Sequence, residues 1–165
     1  MYLILVLILL YSMSRFFDMS FLSACDHGEW YQYFTFQLVH TSFLHLLVNV
    51  IVIYLYWRVI KKNTIGWISI LIVATSSTLS GYLGADLPTI GASSIAFALV
   101  GIYLVWIWGT LPKKDTLKFY AITALFIAIP PVINHNLAFM VHIYALAISV
   151  SLSLILRNIL YVRHK

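Results

Sequence analysis

The stretch Leu38-Val-His40-Thr-Ser-Phe-Leu-His45-Leu-Leu-Val-Asn49-Val-Ile-Val-Ile-Tyr-Leu-Tyr-Trp-Arg58-Val-Ile60 supports two readings at once. By apolar content it is a run of 23 residues with one charged side chain, Arg58, close to its end. About 20 apolar residues in a helix suffice to cross a bilayer core of roughly 30 Å. By polar content it carries His40, His45 and Asn49 in a place where hydrocarbon would surround them. Polar groups are costly there, so they are expected to face a protein interior. His45 and Asn49 are four apart and share one helical face. His40, five before His45, falls about 140° around a continuous helix and nearer its outer end. Two uses of such a face are open: hydrogen bonds that hold helices together, or a buried reactive site.

Five further apolar runs flank this one, at Met1–Phe17, Ile65–Leu83, Ser93–Leu111, Phe119–Ile133 and Leu137–Leu156. The whole chain of 165 residues is 62% hydrophobic and 9% charged, with a mean hydropathy of +0.97. A water-soluble fold of this length cannot bury so much apolar surface. The expected fold is therefore an all-α integral membrane bundle of six transmembrane helices, forming a single domain over residues 1–165. No internal repeat, low-complexity segment or interdomain linker interrupts it.

The formal net charge of +5 does not indicate nucleic acid, because the cations lie in short clusters between apolar runs. With the N-terminus in the cytoplasm, nine of the ten Lys and Arg residues fall on the cytoplasmic side: Arg58, Lys61, Lys62, Lys113, Lys114, Lys118, Arg157, Arg163 and Lys165. Only Arg15 falls outside. Positive charge marks cytoplasmic loops, so both termini are expected in the cytoplasm. Cys25 is the only cysteine, which excludes an intrachain disulfide. Leu22-Ser-Ala-Cys25 looks like a lipoprotein cleavage site, but no basic stretch precedes the first apolar run, and that run is read as a retained helix. The aromatic-rich segment from Phe16 to Phe36 is too polar to span and is expected to lie along the outer face, partly embedded.

Two more polar positions sit at comparable depth. Gly91-Ala-Ser93-Ser94 follows the loop Asp86-Leu-Pro-Thr89 and opens the fourth run. Ser93 is either a helix N-cap or a nucleophile. From Ser93 to Trp108 a helix measures roughly 24 Å, less than the core thickness of about 30 Å. Ser93 is thus expected below the outer surface, in an enclosed or wet cavity, with free N–H groups suited to an oxyanion. His142 lies about five residues into the last run and is either a structural hydrogen-bonding group or a base. Ala145 and Ser149 lie near the same face, and Gly101 offers a flat patch to receive them; packing these would bring His142 to Ser93. A nucleophile, a base and oxyanion donors are the minimum for serine acyl transfer. No acid is placed to complete a triad, which leaves a Ser–His dyad. A helical HExxH for zinc and a pair of membrane aspartates are both missing, so no metal is expected.

In combination and in this order, His40-x4-His45-x3-Asn49, Ser80-Gly81-Tyr82, Gly91-Ala-Ser93-Ser94 with Gly101, and Val141-His142-Ile143 resemble the rhomboid family of intramembrane serine proteases, over about Trp30 to Ser149. The resemblance implies Ser93 as nucleophile and His142 as general base and acid. It implies an oxyanion site formed by the Ser93 N–H, His45 and Asn49. It also implies supporting roles for His40, Gly91 and Ser94, a transmembrane protein as substrate, the lipid bilayer as partner, no cofactor, and residence in a bacterial cytoplasmic (inner) membrane. In size the chain is similar to small bacterial members, among them rhombosortases, which process proteins with a C-terminal Gly-Gly-type membrane tail.

Four departures from the family pattern carry expectations. Ser94 stands where a glycine follows the nucleophile, which would tighten or displace the loop. Ala145 and Ser149 replace glycines, which would hold the fourth and sixth helices slightly apart. Tyr31-Gln32 replaces the Trp-Arg pair of the first outer loop, losing its charge, and Lys61 replaces the glutamate expected after the second helix, so an inner-side polar network must differ. Two other readings use the same residues: an inactive rhomboid-like protein that binds transmembrane segments, and a haem-binding bundle with His45 and His142 as axial ligands.

Overall fold

A computed structural model describes residues 2–63, 66–133 and 139–163. They form α1 (Tyr2–Met13), a short helix α2 (Gln32–Thr35), α3 (Phe43–Asn63), α4 (Gly66–Gly84), α5 (Ser93–Trp106), α6 (Lys113–Ile133) and α7 (Phe139–Arg163). The only β-type pairing among the described residues is an isolated bridge between Ala24 and Thr89. Three helices are long and apolar enough to cross a membrane, over Phe43–Lys62, Gly66–Gly84 and Phe139–Leu160, and α1 and α5 are shorter apolar helices.

The helix limits follow local chemistry. The third helix starts at Phe43 because Ser42 caps it: the Ser42 hydroxyl accepts the His45 N–H at 3.2 Å and the Ser42 carbonyl accepts the Leu46 N–H at 3.0 Å. His40 therefore lies in the extended segment before α3, and not on its surface as a continuous helix would have it. α6 begins at Lys113, six residues before the apolar run, because Pro112 starts the helix and Asp115 lies in its first turn. α5 stops at Trp106, short of Leu111, in a turn that carries Gly109 at φ +78°. The expected start of the last run, Leu137, lies outside the described residues.

α5 is the central element. Nearly all of it is buried, and α3, α4 and α7 pack around it. Fourteen residues give it a length of roughly 21 Å, shorter than the hydrocarbon core. Small residues set the tightest contacts. A Cβ on Gly101 would lie 2.8 Å from Ser149 Oγ, and one on Gly84 would lie 2.8 Å from the Val141 nitrogen. α7 is thus held against both α5 and α4 at distances only glycine permits. Ala145 and Ser149, which stand at the positions of family glycines, lie in this contact. Both are fully buried, and the Ser149 hydroxyl donates to the Ala98 carbonyl at 2.6 Å, turning the added bulk into an interhelical bond.

At the end of the bundle away from Ser93, the Tyr56 hydroxyl bonds to the Phe119 carbonyl and to the Thr123 hydroxyl, and the Tyr56, Tyr103 and Phe119 rings pack mutually. Arg157 donates to the Val105 carbonyl at 2.7 Å, satisfying a free acceptor at the end of α5. Lys61 is exposed.

The segment from Phe16 to Phe36 is exposed at Phe16, Phe17, Phe21, Trp30 and Phe34 but anchored through Phe36, which is buried against Gly81, Ala85 and Val141. Gln32 braces it, accepting the Glu29 N–H at 2.7 Å and donating to the Phe21 carbonyl at 2.9 Å.

Candidate active site

Four pieces of chain converge on the N-terminus of α5. The loop before it is pinned from both sides. Ala24 and Thr89 exchange two backbone bonds, at 3.0 and 2.7 Å, and Gly91 N–H donates to the Phe36 carbonyl at 2.8 Å. His40 holds the last residue of the loop, its Nε2 accepting the Ala92 N–H at 3.2 Å. That bond requires the ring hydrogen of neutral His40 to sit on Nδ1, an atom that is buried and has no partner among the described residues.

Ala92 takes the N-cap position of α5 without a side-chain bond, so Ser93 is the first helical residue. The Ser93 hydroxyl does not cap the helix. It lies 2.8 Å from His142 Nε2, three residues into α7. For Nε2 to accept the serine proton, Nδ1 must carry the ring hydrogen. The imidazole is stacked on Phe97, with centroids 4.7 Å apart and planes 16° from parallel. The stack and the serine contact together fix the position and tilt of the ring.

The N–H groups of Ser93 and Ser94 have no acceptor among the described residues, as expected for the first turn of a helix. His45 reaches the same region from α3, and Asn49 lies one turn after it on the same helix. The His45 ring closes on Gly91, where a Cβ would lie 2.5 Å from His45 Cε1 and 2.8 Å from Nε2. Gly91 has φ +124°, a conformation that L side chains rarely adopt. Asn49 is buried and donates one amide hydrogen to the His45 carbonyl at 3.0 Å, leaving the other free. His40 and His45 rings meet edge to face, with centroids 5.1 Å apart.

Of the residues singled out by sequence, Ser93 and His142 are brought into direct contact, Gly91 meets His45, Asn49 meets His45, and His40 meets Ala92. Ser94 is fully buried in α5 and its hydroxyl has no partner among the described residues. Its backbone is helical, a conformation that needs no glycine. Two contributors went unread. Phe97 is one turn after Ser93, a spacing that places it on the nucleophile's face. Gly84, beside Gly81, marks a helix crossing by the same small-residue logic as Gly101.

A family model described as Rhomboid domain matches residues 27–159. The chain is also similar to the "Putative rhomboid protease YdcA" of Bacillus subtilis (strain 168), with 29% identity over 128 residues covering 73% of this chain and 64% of that one. It thus spans a little under two thirds of the length of that relative. The matched residues contain His40, His45, Asn49, Gly91, Ser93 and His142; the chain belongs to the rhomboid family.

Proposed function

We propose that this protein is an intramembrane serine endopeptidase that cleaves peptide bonds in or near transmembrane segments of membrane proteins, with Ser93 and His142 as its catalytic dyad. The observation that carries this reading is the 2.8 Å approach of Ser93 Oγ to His142 Nε2 between two helices, with Phe97 beneath the imidazole. His142 removes the hydroxyl proton as Ser93 Oγ attacks the scissile carbonyl carbon. The carbonyl oxygen becomes an oxyanion, met by the Ser93 N–H and the side chains of His45 and Asn49. When the C–N bond breaks, His142 returns the proton to the leaving amine. Water, deprotonated by the same imidazole, then hydrolyses the acyl-enzyme and restores Ser93. Asp86, the acid nearest in sequence to Ser93, is exposed; the ring is oriented by stacking.

A fluorophosphonate probe tests this without a known substrate. The purified protein should label, and Ser93→Ala and His142→Ala should abolish labelling while remaining folded. No labelling of a folded wild-type protein would favour instead an inactive rhomboid-like protein that binds transmembrane segments.

We further propose that residues 1–165 form one six-span domain in a bacterial cytoplasmic membrane, with both termini in the cytoplasm. The charge distribution and α6, a 21-residue helix with Lys113, Lys114 and Lys118 at its start, support this. Reporter fusions after Lys114 and after Lys165 should both report cytoplasm. An external signal at either position would break the six-span arrangement.

A further inference from the structure

The candidate active site leaves one built feature unused. A cavity of about 360 Å³ lies on the outer side, between the end of α1, the outer segment and the loop that leads to Ser93. Its volume is within the usual range for small-ligand sites, about 300–1,000 Å³. Arg15, Asp18, Ser20, His40, Thr41 and Ile90 are among the residues that line it. Arg15 has no ion-pair or side-chain hydrogen-bond partner among the described residues, although Asp18 lines the same cavity. Hydrogen bonds from the Ser20 backbone N–H (2.9 Å) and the Ser20 hydroxyl (3.1 Å) hold the Asp18 carboxyl below the usual carboxylate range, and so charged. One unpaired cation and one oriented anion thus face a shared space. His40 adds a buried Nδ1 with no partner among the described residues.

We propose that this cavity binds the headgroup of a phosphatidylethanolamine lipid from the outer leaflet, its phosphate at Arg15 and its ammonium at Asp18. The chemistry required is a phosphate and a primary ammonium joined by a short linker, which matches the two opposite charges. Guanidinium groups recognise phosphate through paired N–H donors. A carboxylate accepts hydrogen bonds from a primary ammonium, whereas a trimethylated one offers none. A membrane source is favoured by what surrounds the opening. α1 presents exposed Leu5 and Leu9 along its length, and Phe16 and Phe17 follow it, 83% and 62% exposed, at the level where aromatic residues meet headgroups. Acyl chains can therefore lie along α1 while the headgroup enters the cavity. Ile90 in its wall precedes Gly91, and His40 holds the Ala92 N–H, so the occupant abuts the segment that positions Ser93.

Native mass spectrometry of the full-length protein, in detergent with equimolar phosphatidylethanolamine, phosphatidylcholine and phosphatidylglycerol, tests this independently of proteolysis. Phosphatidylethanolamine should be retained preferentially. Arg15→Gln and Asp18→Asn should each weaken its retention about tenfold, the scale of one charge-assisted bond. Both positions are exposed, so melting temperatures in lipid-free detergent should match wild type. Free O-phosphoethanolamine separates the sources. Displacement of the lipid only at a large excess supports a membrane ligand; binding that equals the lipid's overturns the lipid assignment in favour of a soluble one. Equal retention of all three lipids, or retention unchanged in both variants, overturns the proposal. Unchanged lipid retention with a raised KM for a transmembrane substrate in Arg15→Gln would make the cavity a peptide subsite and overturn it equally.

Discussion

Alanine at Ser93 should lower the cleavage rate of a transmembrane substrate by a factor on the order of 10⁴ or more, alanine at His142 should lower it as far, and the double variant should be no slower than either single one. The non-additivity carries the diagnosis. The Ser93 hydroxyl is a weak nucleophile until a base takes its proton, and His142 Nε2, 2.8 Å away, is the base within reach. Removing either group removes the same transition state, so nothing is left for the second substitution to remove. A structural histidine would behave differently: His142→Ala would lower stability and rate moderately, and its effect would add to that of Ser93→Ala. Rates measured in reconstituted vesicles, with unfolding followed in parallel, distinguish the two. Appreciable turnover by Ser93→Ala would exclude the acyl-enzyme route altogether. Phe97→Leu offers an internal comparison, because it keeps the volume apolar but removes the ring stacked on the imidazole. Its loss should be milder and confined to the rate.

The helices and the dyad were legible for different reasons. Apolar runs announce spanning helices because the bilayer core has a fixed thickness; α4 follows its run to within one residue at each end, whereas α3 starts five residues late at Phe43 and α7 continues seven residues past Leu156 to Arg163. Ser93 and His142 stood out because polar groups are scarce in such runs. What the sequence concealed was set by contacts between elements. Ser42 reads as one more small polar residue until its hydroxyl is seen capping α3, and that cap removes His40 from the helix face and frees it to hold Ala92. Ser94 and Ser149 looked like obstacles because family glycines stand at their positions. Ser149 instead bonds across to α5, which requires Gly101 opposite it and so depends on two residues at once. The pinning of the loop by Ala24 and Phe36 uses backbone groups only, and no side-chain pattern can announce it.

Gly91→Ala should leave the bundle folded and reduce turnover by about 10²-fold, the scale expected for a misplacement of roughly 1 Å or the loss of one oxyanion donor. Two effects combine at this position. The backbone at φ +124° is one that an alanine adopts only at a cost of about 1–3 kcal/mol. The added methyl would also lie 2.5 Å from His45 Cε1, well inside contact distance. Either the loop or the imidazole must move. If the loop moves, it strains the Gly91–Phe36 bond and shifts Ser93, two residues on. If the ring moves, it leaves the oxyanion region and disturbs its edge-to-face contact with His40, which in turn holds Ala92. Both routes damage the reaction more than the fold, because the helix-packing core does not include Gly91. Gly109→Ala isolates the backbone effect: φ there is +78° and nothing lies within 4 Å of the added carbon. It should destabilise by about 1–2 kcal/mol with turnover unchanged. Gly66→Ala, with ordinary φ and open space, should change neither. Full turnover in Gly91→Ala would mean that the position of His45 does not matter to the transition state, and would remove it from the proposed oxyanion site while leaving the Ser93–His142 pair intact.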